Sequence, residues 1–64
     1  MTATDALYNT RLDVIQALAT ARANETECKE LKHFGMAEIW QGRIKGLTEQ
    51  LQDIQESIKR EEGK

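Results

Sequence analysis

The chain has 64 residues, which is enough for one domain at most and for only a thin hydrophobic core. Nine basic and eleven acidic side chains give a formal net charge of -2 and are spread evenly, so a nucleic-acid-binding surface is not expected. Neither a secretory leader nor an apolar run long enough to cross a membrane is visible. The sequence therefore predicts a cytoplasmic protein or one that lies within a larger assembly.

The single cysteine and the single histidine limit the chemistry that the chain can support. Cys28 has no cysteine to pair with, and His33 lies five residues away, on a different side of a helix, so no metal site is expected. The sequence also lacks a glycine-rich phosphate loop and a Ser/His/Asp set. We predict no cofactor and no enzymatic activity, although a redox role for Cys28 beside Lys29 stays open. A scaffold this small is then expected to gain stability by association with other chains.

A first helix is predicted from about residue 4 to residue 33, with Thr4 or Asp5 as its N-terminal cap. Its apolar residues, placed at 100° per residue, form two lobes rather than one stripe. The first lobe contains Ala3, Leu7, Val14, Leu18 and Ala21, and the second lobe contains Tyr8, Leu12, Ile15, Ala19 and Ala23. Together they cover more than half the circumference, whereas one neighbouring helix needs only about 100°. This helix is therefore expected to contact two neighbours.

Two arginines, Arg11 and Arg22, lie between these lobes. The simpler interpretation is that their aliphatic stems cover apolar surface while their guanidinium groups pair with carboxylates. The alternative is that they bind an acidic partner.

The apolar pattern thins between residues 24 and 33, so two positions of the turn are compatible with it. One interpretation breaks the helix near Asn24, which has the spacing of an imperfect capping box with Glu27. The other continues the helix to about residue 33, with Gly35 as the left-handed residue that ends it. We favour the continuous helix, which places the turn at about residues 34–35.

The second helix is predicted over about residues 36–60 and carries the most regular pattern in the chain. Seven apolar residues, here called the seam, follow alternating steps of three and four: Ala37, Trp40, Ile44, Leu47, Leu51, Ile54 and Ile58. This spacing places them on one narrow side of an α-helix, as in a coiled coil. The prediction is an all-α fold in which residues 1–64 form one antiparallel, coiled-coil-like two-helix hairpin that assembles into a helical bundle.

Two glycines interrupt the second helix away from the seam, and each costs about 1 kcal/mol relative to alanine. Ile39, Gly42 and Gly46, here called the outer groove, form a small-residue surface that another helix could approach closely. The alternative is that the glycines are tolerated on a solvated side. With the second lobe, the groove gives a candidate partner interface: Tyr8, Leu12, Ile15, Ala19, Arg11, Arg22, Ile39, Gly42 and Gly46.

These features predict a non-enzymatic interaction or structural subunit, a small hairpin that homo-oligomerises or docks on a larger assembly. Phage accessory and structural proteins offer an analogy of format. The stretch from Ile39 through Trp40, Gln41 and Lys45 to Leu47 resembles the small helical co-chaperones of type III secretion. The resemblance does not extend to the first helix and assigns no functional residue. It implies an alternative function, a small inhibitor or co-chaperone that covers a specific partner protein.

Overall fold

Two long α-helices make up the structure. The computed structural model describes residues 2–63, in which α1 spans Ala3–Glu30, α2 spans Phe34–Glu62, and residues 31–33 connect them. The helices pack along their lengths into an elongated body of 49 × 17 × 10 Å. The predicted all-α helical hairpin is confirmed.

The direction of the helices follows from one contact at the end opposite the connection. The Tyr8 hydroxyl, near the start of α1, donates a hydrogen bond to the Glu62 carboxylate, at the end of α2, over 2.8 Å. Because the other two helix ends are joined by only three residues, α1 and α2 lie side by side and run in opposite directions.

The first helix begins earlier than the sequence predicted. Thr2, and not Thr4 or Asp5, is the N-terminal cap: its hydroxyl accepts from the Asp5 amide, and the Asp5 carboxylate accepts from the Thr2 amide. This reciprocal capping box satisfies two amides that the first turn leaves without helical partners. Asp5 is therefore not the cap but the third helical residue. At that position its charge also suits the positive end of the helix dipole.

The connection between the helices corrects the predicted turn at residues 34–35. The amide of His33 donates to the Cys28 carbonyl at 2.7 Å and that of Lys32 donates to the Lys29 carbonyl at 3.1 Å, the paired bonds of a Schellman motif. Lys32 takes the left-handed conformation with a φ of 60°, and no described glycine has a positive φ. Gly35 is the second residue of α2 and not a cap. The prediction that α1 continues past Asn24 is confirmed, although it ends at Glu30 and not near residue 33.

The interface between the helices is formed by one line of residues on each. All seven seam residues of α2 are buried or half-buried. On α1 the matching line follows the same alternating steps and includes three polar or charged side chains; it consists of Thr4, Leu7, Arg11, Val14, Leu18, Ala21, Glu25 and Cys28. Ala3, assigned to the first lobe, is exposed. The alternating steps on both helices indicate coiled-coil-like packing.

The core is uneven along the hairpin. Val14, Leu18, Ile54 and Ile58 form the buried cluster, and half-buried Leu7, Tyr8, Ile44, Leu47 and Leu51 pack against it. Nearer the connection the buried residues are the small side chains Ala21 and Ala37. Most of the apolar packing therefore lies in the half of the hairpin that contains the chain ends.

Replacing a seam residue with a charge is expected to unfold the hairpin. Leu47→Asp places an unpaired carboxylate against the core cluster, which we expect to cost at least about 3 kcal/mol, much of what a core this small supplies. Urea denaturation followed by circular dichroism measures the change. The matched control is Gln50→Asp at an exposed position of the same helix. A Leu47→Asp variant as stable as this control would contradict the packing of the seam against α1.

Substitutions at Lys32 and Gly35 distinguish the observed turn from a turn at Gly35. Lys32→Gly removes the cost of a side chain at positive φ and should stabilise the hairpin by about 1 kcal/mol. Gly35→Ala should also stabilise it, by about 0.5 kcal/mol, because Gly35 lies in a helix and no atom lies within 4 Å of an added Cβ. Thermal and urea unfolding test both variants. Destabilisation by Gly35→Ala would instead support Gly35 as the cap.

Candidate protein interface

The second lobe of α1 is not used by the hairpin. Leu12 is 53% exposed and Ile15 is 44% exposed, and Ala19 and Ala23 are exposed as well. Only Tyr8 is half-buried, because it packs against the edge of the core cluster. α1 therefore keeps a line of apolar side chains in contact with solvent, although its other apolar side is packed against α2.

One broad face of the hairpin carries this lobe, and it is called the lobe face here. The Tyr8–Glu62 hydrogen bond shows which flank of α2 lies beside the lobe. Residues at seven-residue intervals before Glu62 occupy the same flank of that helix. These residues are Gln55, Thr48 and Gln41. The lobe face therefore combines apolar side chains from α1 with the uncharged side chains of Gln41, Thr48 and Gln55 and the Glu62 carboxylate from α2.

The outer groove lies elsewhere. Ile39 and Gly46 each precede a lobe-face residue of α2 by two positions, and two helical residues that far apart point in nearly opposite directions. Ile39 is 64% exposed, and no atom lies within 4 Å of a Cβ added at Gly42 or Gly46. Most of the predicted partner residues are therefore exposed, whereas Tyr8 and Arg11 are half-buried, and the exposed ones lie on two different sides of the molecule. A single flat partner surface cannot contact both the lobe and the groove.

The two arginines between the lobes have different surroundings. Arg11 is half-buried, and its guanidinium lies over the Tyr8 ring, 4.7 Å from the ring centre, in a cation–π contact. Arg22 is exposed and borders a shallow groove with Thr26 and Glu30. Within residues 2–63 neither arginine forms an ion pair with a carboxylate, so the predicted pairing is not observed there.

A second exposed apolar surface, at the connection, was missed by the sequence analysis. Leu31, Phe34, Met36 and Ile39, here called the tip cluster, are each at least half exposed, with Phe34 at 61%. The signal was present as four large apolar residues outside the seam, close together in the sequence. It was overlooked because Phe34 was assigned to the turn. The tip cluster surrounds the end of the hairpin opposite the Tyr8–Glu62 contact.

Charged side chains within residues 2–63 make local contacts on the surface. Lys29 pairs with Glu25 one helical turn earlier, at 3.7 Å, and the Arg43 guanidinium lies over the Trp40 ring, 5.8 Å from its centre. The hydrogen bond to the Glu62 carboxylate raises the pKa of Tyr8, because it favours the protonated phenol. The exposed apolar surface is consequently the most distinctive feature of the molecule.

A metal centre is not evident in the part of the chain that the structure describes. No three His, Cys, Asp or Glu side chains among residues 2–63 come together where they could hold a metal ion. Cys28 is half-buried in the α1 line that faces α2. Over the same residues, neither α1 nor α2 has the combination of length and apolarity that a membrane-spanning helix needs.

Comparison of this chain with protein-family models, with curated proteins and with solved structures finds no match in any of the three. The assignment of function therefore depends on the physical properties of the hairpin.

The contact between the helix ends can be tested through the only tyrosine in the chain. Glu62→Gln removes the anionic acceptor, so the raised pKa of Tyr8 should fall toward its ordinary value of about 10. Because the folded-state pKa is raised, the interaction stabilises the hairpin below the ordinary value and is lost as the pH rises through the folded-state pKa. An absorbance titration of tyrosinate measures the shift.

Glu56→Gln, at an exposed position on α2, is the matched control and should leave the Tyr8 titration unchanged. An ordinary Tyr8 pKa in the unmodified protein would contradict the contact, and with it the evidence that Tyr8 and Glu62 lie on the same face.

Proposed function

We propose that the protein is a non-enzymatic interaction subunit, a helical hairpin that binds another protein surface through the second lobe of α1. The observation that carries this proposal is the exposure of Leu12 and Ile15 on a helix whose other apolar side is already packed. Large apolar side chains that follow a helical spacing and stay in water favour association with a further helix. The partner is a second copy of the chain or a component of a larger assembly.

The limited core supports the same function. The structure buries six hydrophobic residues and no large side chain completely within residues 2–63. A two-helix body of this size gains little stability alone, and contact through the lobe face would add apolar burial that the hairpin lacks. A small structural or accessory subunit, such as those found in phages, fits this limited core. Such a subunit would lie in the cytoplasm or within a larger particle.

A second candidate function is favoured by the tip cluster. Leu31, Phe34 and Met36 project at the end of an elongated body, where they could insert into a pocket of a specific partner. The stretch that resembles type III secretion co-chaperones begins at Ile39, within the same cluster. An inhibitor or co-chaperone would use this end of the hairpin and leave the lobe free.

Sedimentation across micromolar concentrations tests the proposed function. The unmodified protein should sediment as an oligomer, and Ile15→Lys should shift it to a monomer by removing about 2 kcal/mol of apolar burial per chain. The variant should stay helical, because Ile15 is exposed in the hairpin. An unmodified protein that remains a stable, folded monomer would contradict self-association.

Gly46→Leu is the matched variant on the outer groove. The space around Gly46 accepts a side chain, so the hairpin should fold at least as well as the unmodified protein. Weaker association would place the groove in the interface, and unchanged association would exclude it. For the second candidate, Phe34→Ser should abolish binding to a partner that Ile15→Lys still binds.

A further inference from the structure

The second lobe continues in both directions as a line with coiled-coil spacing. Starting from Tyr8, Leu12, Ile15 and Ala19, the same alternating steps of three and four reach Asp5 on one side and Arg22 on the other. A six-residue stretch of this line, here called the second seam, consists of Asp5, Tyr8, Leu12, Ile15, Ala19 and Arg22. A line with this spacing can pack against another helix in the same manner as the first.

The charges on this line are placed at its ends and have opposite signs. Asp5 lies at the N-terminal end and Arg22 at the C-terminal end, with uncharged side chains between them. Arg22 has no ion pair among residues 2–63, and the Asp5 carboxylate retains acceptor capacity beyond its hydrogen bond to the Thr2 amide. The line is therefore complementary in charge to a copy of itself that runs in the opposite direction.

We propose that the second seam packs against the second seam of another copy of this chain, with the two α1 helices antiparallel. This inference depends on the proposed function, in which the lobe is a protein interface. The twofold axis passes between Leu12 and Ile15, so each leucine lies opposite the isoleucine of the second copy. Tyr8 lies opposite Ala19, and Asp5 lies opposite Arg22, at both ends of the contact.

The steric and electrostatic properties of the line select this arrangement over the parallel one. In the antiparallel pair the large Tyr8 ring meets the small Ala19 side chain, and each Asp5 carboxylate meets a guanidinium. A parallel pair would bring Asp5 against Asp5 and Arg22 against Arg22, which places like charges together at both ends. The antiparallel copy is therefore the occupant that fits.

The neighbouring helix limits the contact to α1. Beside the lobe, α2 offers Thr48 and Gln55, which supply no large apolar side chain. Gln52 lies at helical spacing from both of them and is also polar. Lys45 and Lys59 lie on the same flank to either side of this polar stretch. The two α1 helices consequently form the centre of a four-helix arrangement, and the α2 helices lie toward its outside.

Paired charge reversals test the register directly. Arg22→Glu and Asp5→Lys should each weaken the homodimer about tenfold or more, because each turns two attractive contacts into two repulsive ones. Mixing the two variants should produce a heterodimer close to the original affinity, since both charge pairs are then attractive. Sedimentation of each variant and of the mixture measures this.

Two comparisons make the result specific. Asp5→Lys also removes part of the α1 capping box, so recovery on mixing shows that charge and not capping causes the loss. Asp53→Lys, at an exposed position toward the outer groove, is the matched control and should not change dimerisation. Equal association of the homotypic and mixed pairs would overturn the antiparallel register.

The same measurements separate this inference from the function on which it depends. If Ile15→Lys dissociates the oligomer while the charge variants do not prefer each other, the lobe is an interface but the register is wrong. If the unmodified protein is monomeric, packing of the lobe against its own copy is excluded. A preferred heterodimer supports both proposals.

Discussion

The packing of the α2 seam against the line of α1 that contains Val14 and Leu18 is the interaction on which the hairpin depends. The chain has a single cysteine, and no metal cluster occurs among residues 2–63, so neither a disulfide nor a metal site within those residues restrains it. In proteins, a helix gains most of its stability from packing its apolar side against the rest of the fold. The cluster around Val14, Leu18, Ile54 and Ile58 therefore holds both helices in place and also determines which side chains remain in water.

Polar residues within the α1 line influence how the helices align. Arg11 occupies a position that packing alone would give to an apolar residue, and its guanidinium lies over Tyr8, which in turn donates to Glu62. This chain of contacts links both helices at the end of the hairpin that contains the chain ends. Polar groups at such positions can fix the register of paired helices, because a shifted register would leave them without partners. Glu25, farther along, is paired with Lys29 on its own helix.

The α2 seam was predictable because its seven residues follow one uninterrupted period, and no competing pattern exists in that segment. The position of the turn was not predictable, because it depends on backbone hydrogen bonds to the last carbonyls of α1. These bonds end the helix at residues that precede Gly35. Left-handed backbone favours glycine, so Lys32 gave no signal and the nearby glycine attracted the prediction. A second error, Thr4 or Asp5 in place of Thr2 as the cap, shifted the start of α1.

The exposure of most of the candidate interface was also predictable. The sequence of each helix, taken alone, contains apolar residues outside the side that one neighbouring helix covers. Whether Leu12 and Ile39 belong to one surface was not predictable, since that depends on how far each helix is rotated about its own axis. The bond between Tyr8 and Glu62 supplies this rotation and places the two regions on different sides.

The uneven core has a consequence for how the hairpin folds. The largest buried side chains lie far from the connection in space and join segments that are distant in the sequence, while the buried residues nearest the connection, Ala21 and Ala37, are small. Closing the turn alone therefore gains little, and Lys32 at positive φ adds a cost there. Zippering that starts at the connection is disfavoured. The two helices are instead expected to form separately and to dock late, in one cooperative step whose rate is limited by bringing distant segments together.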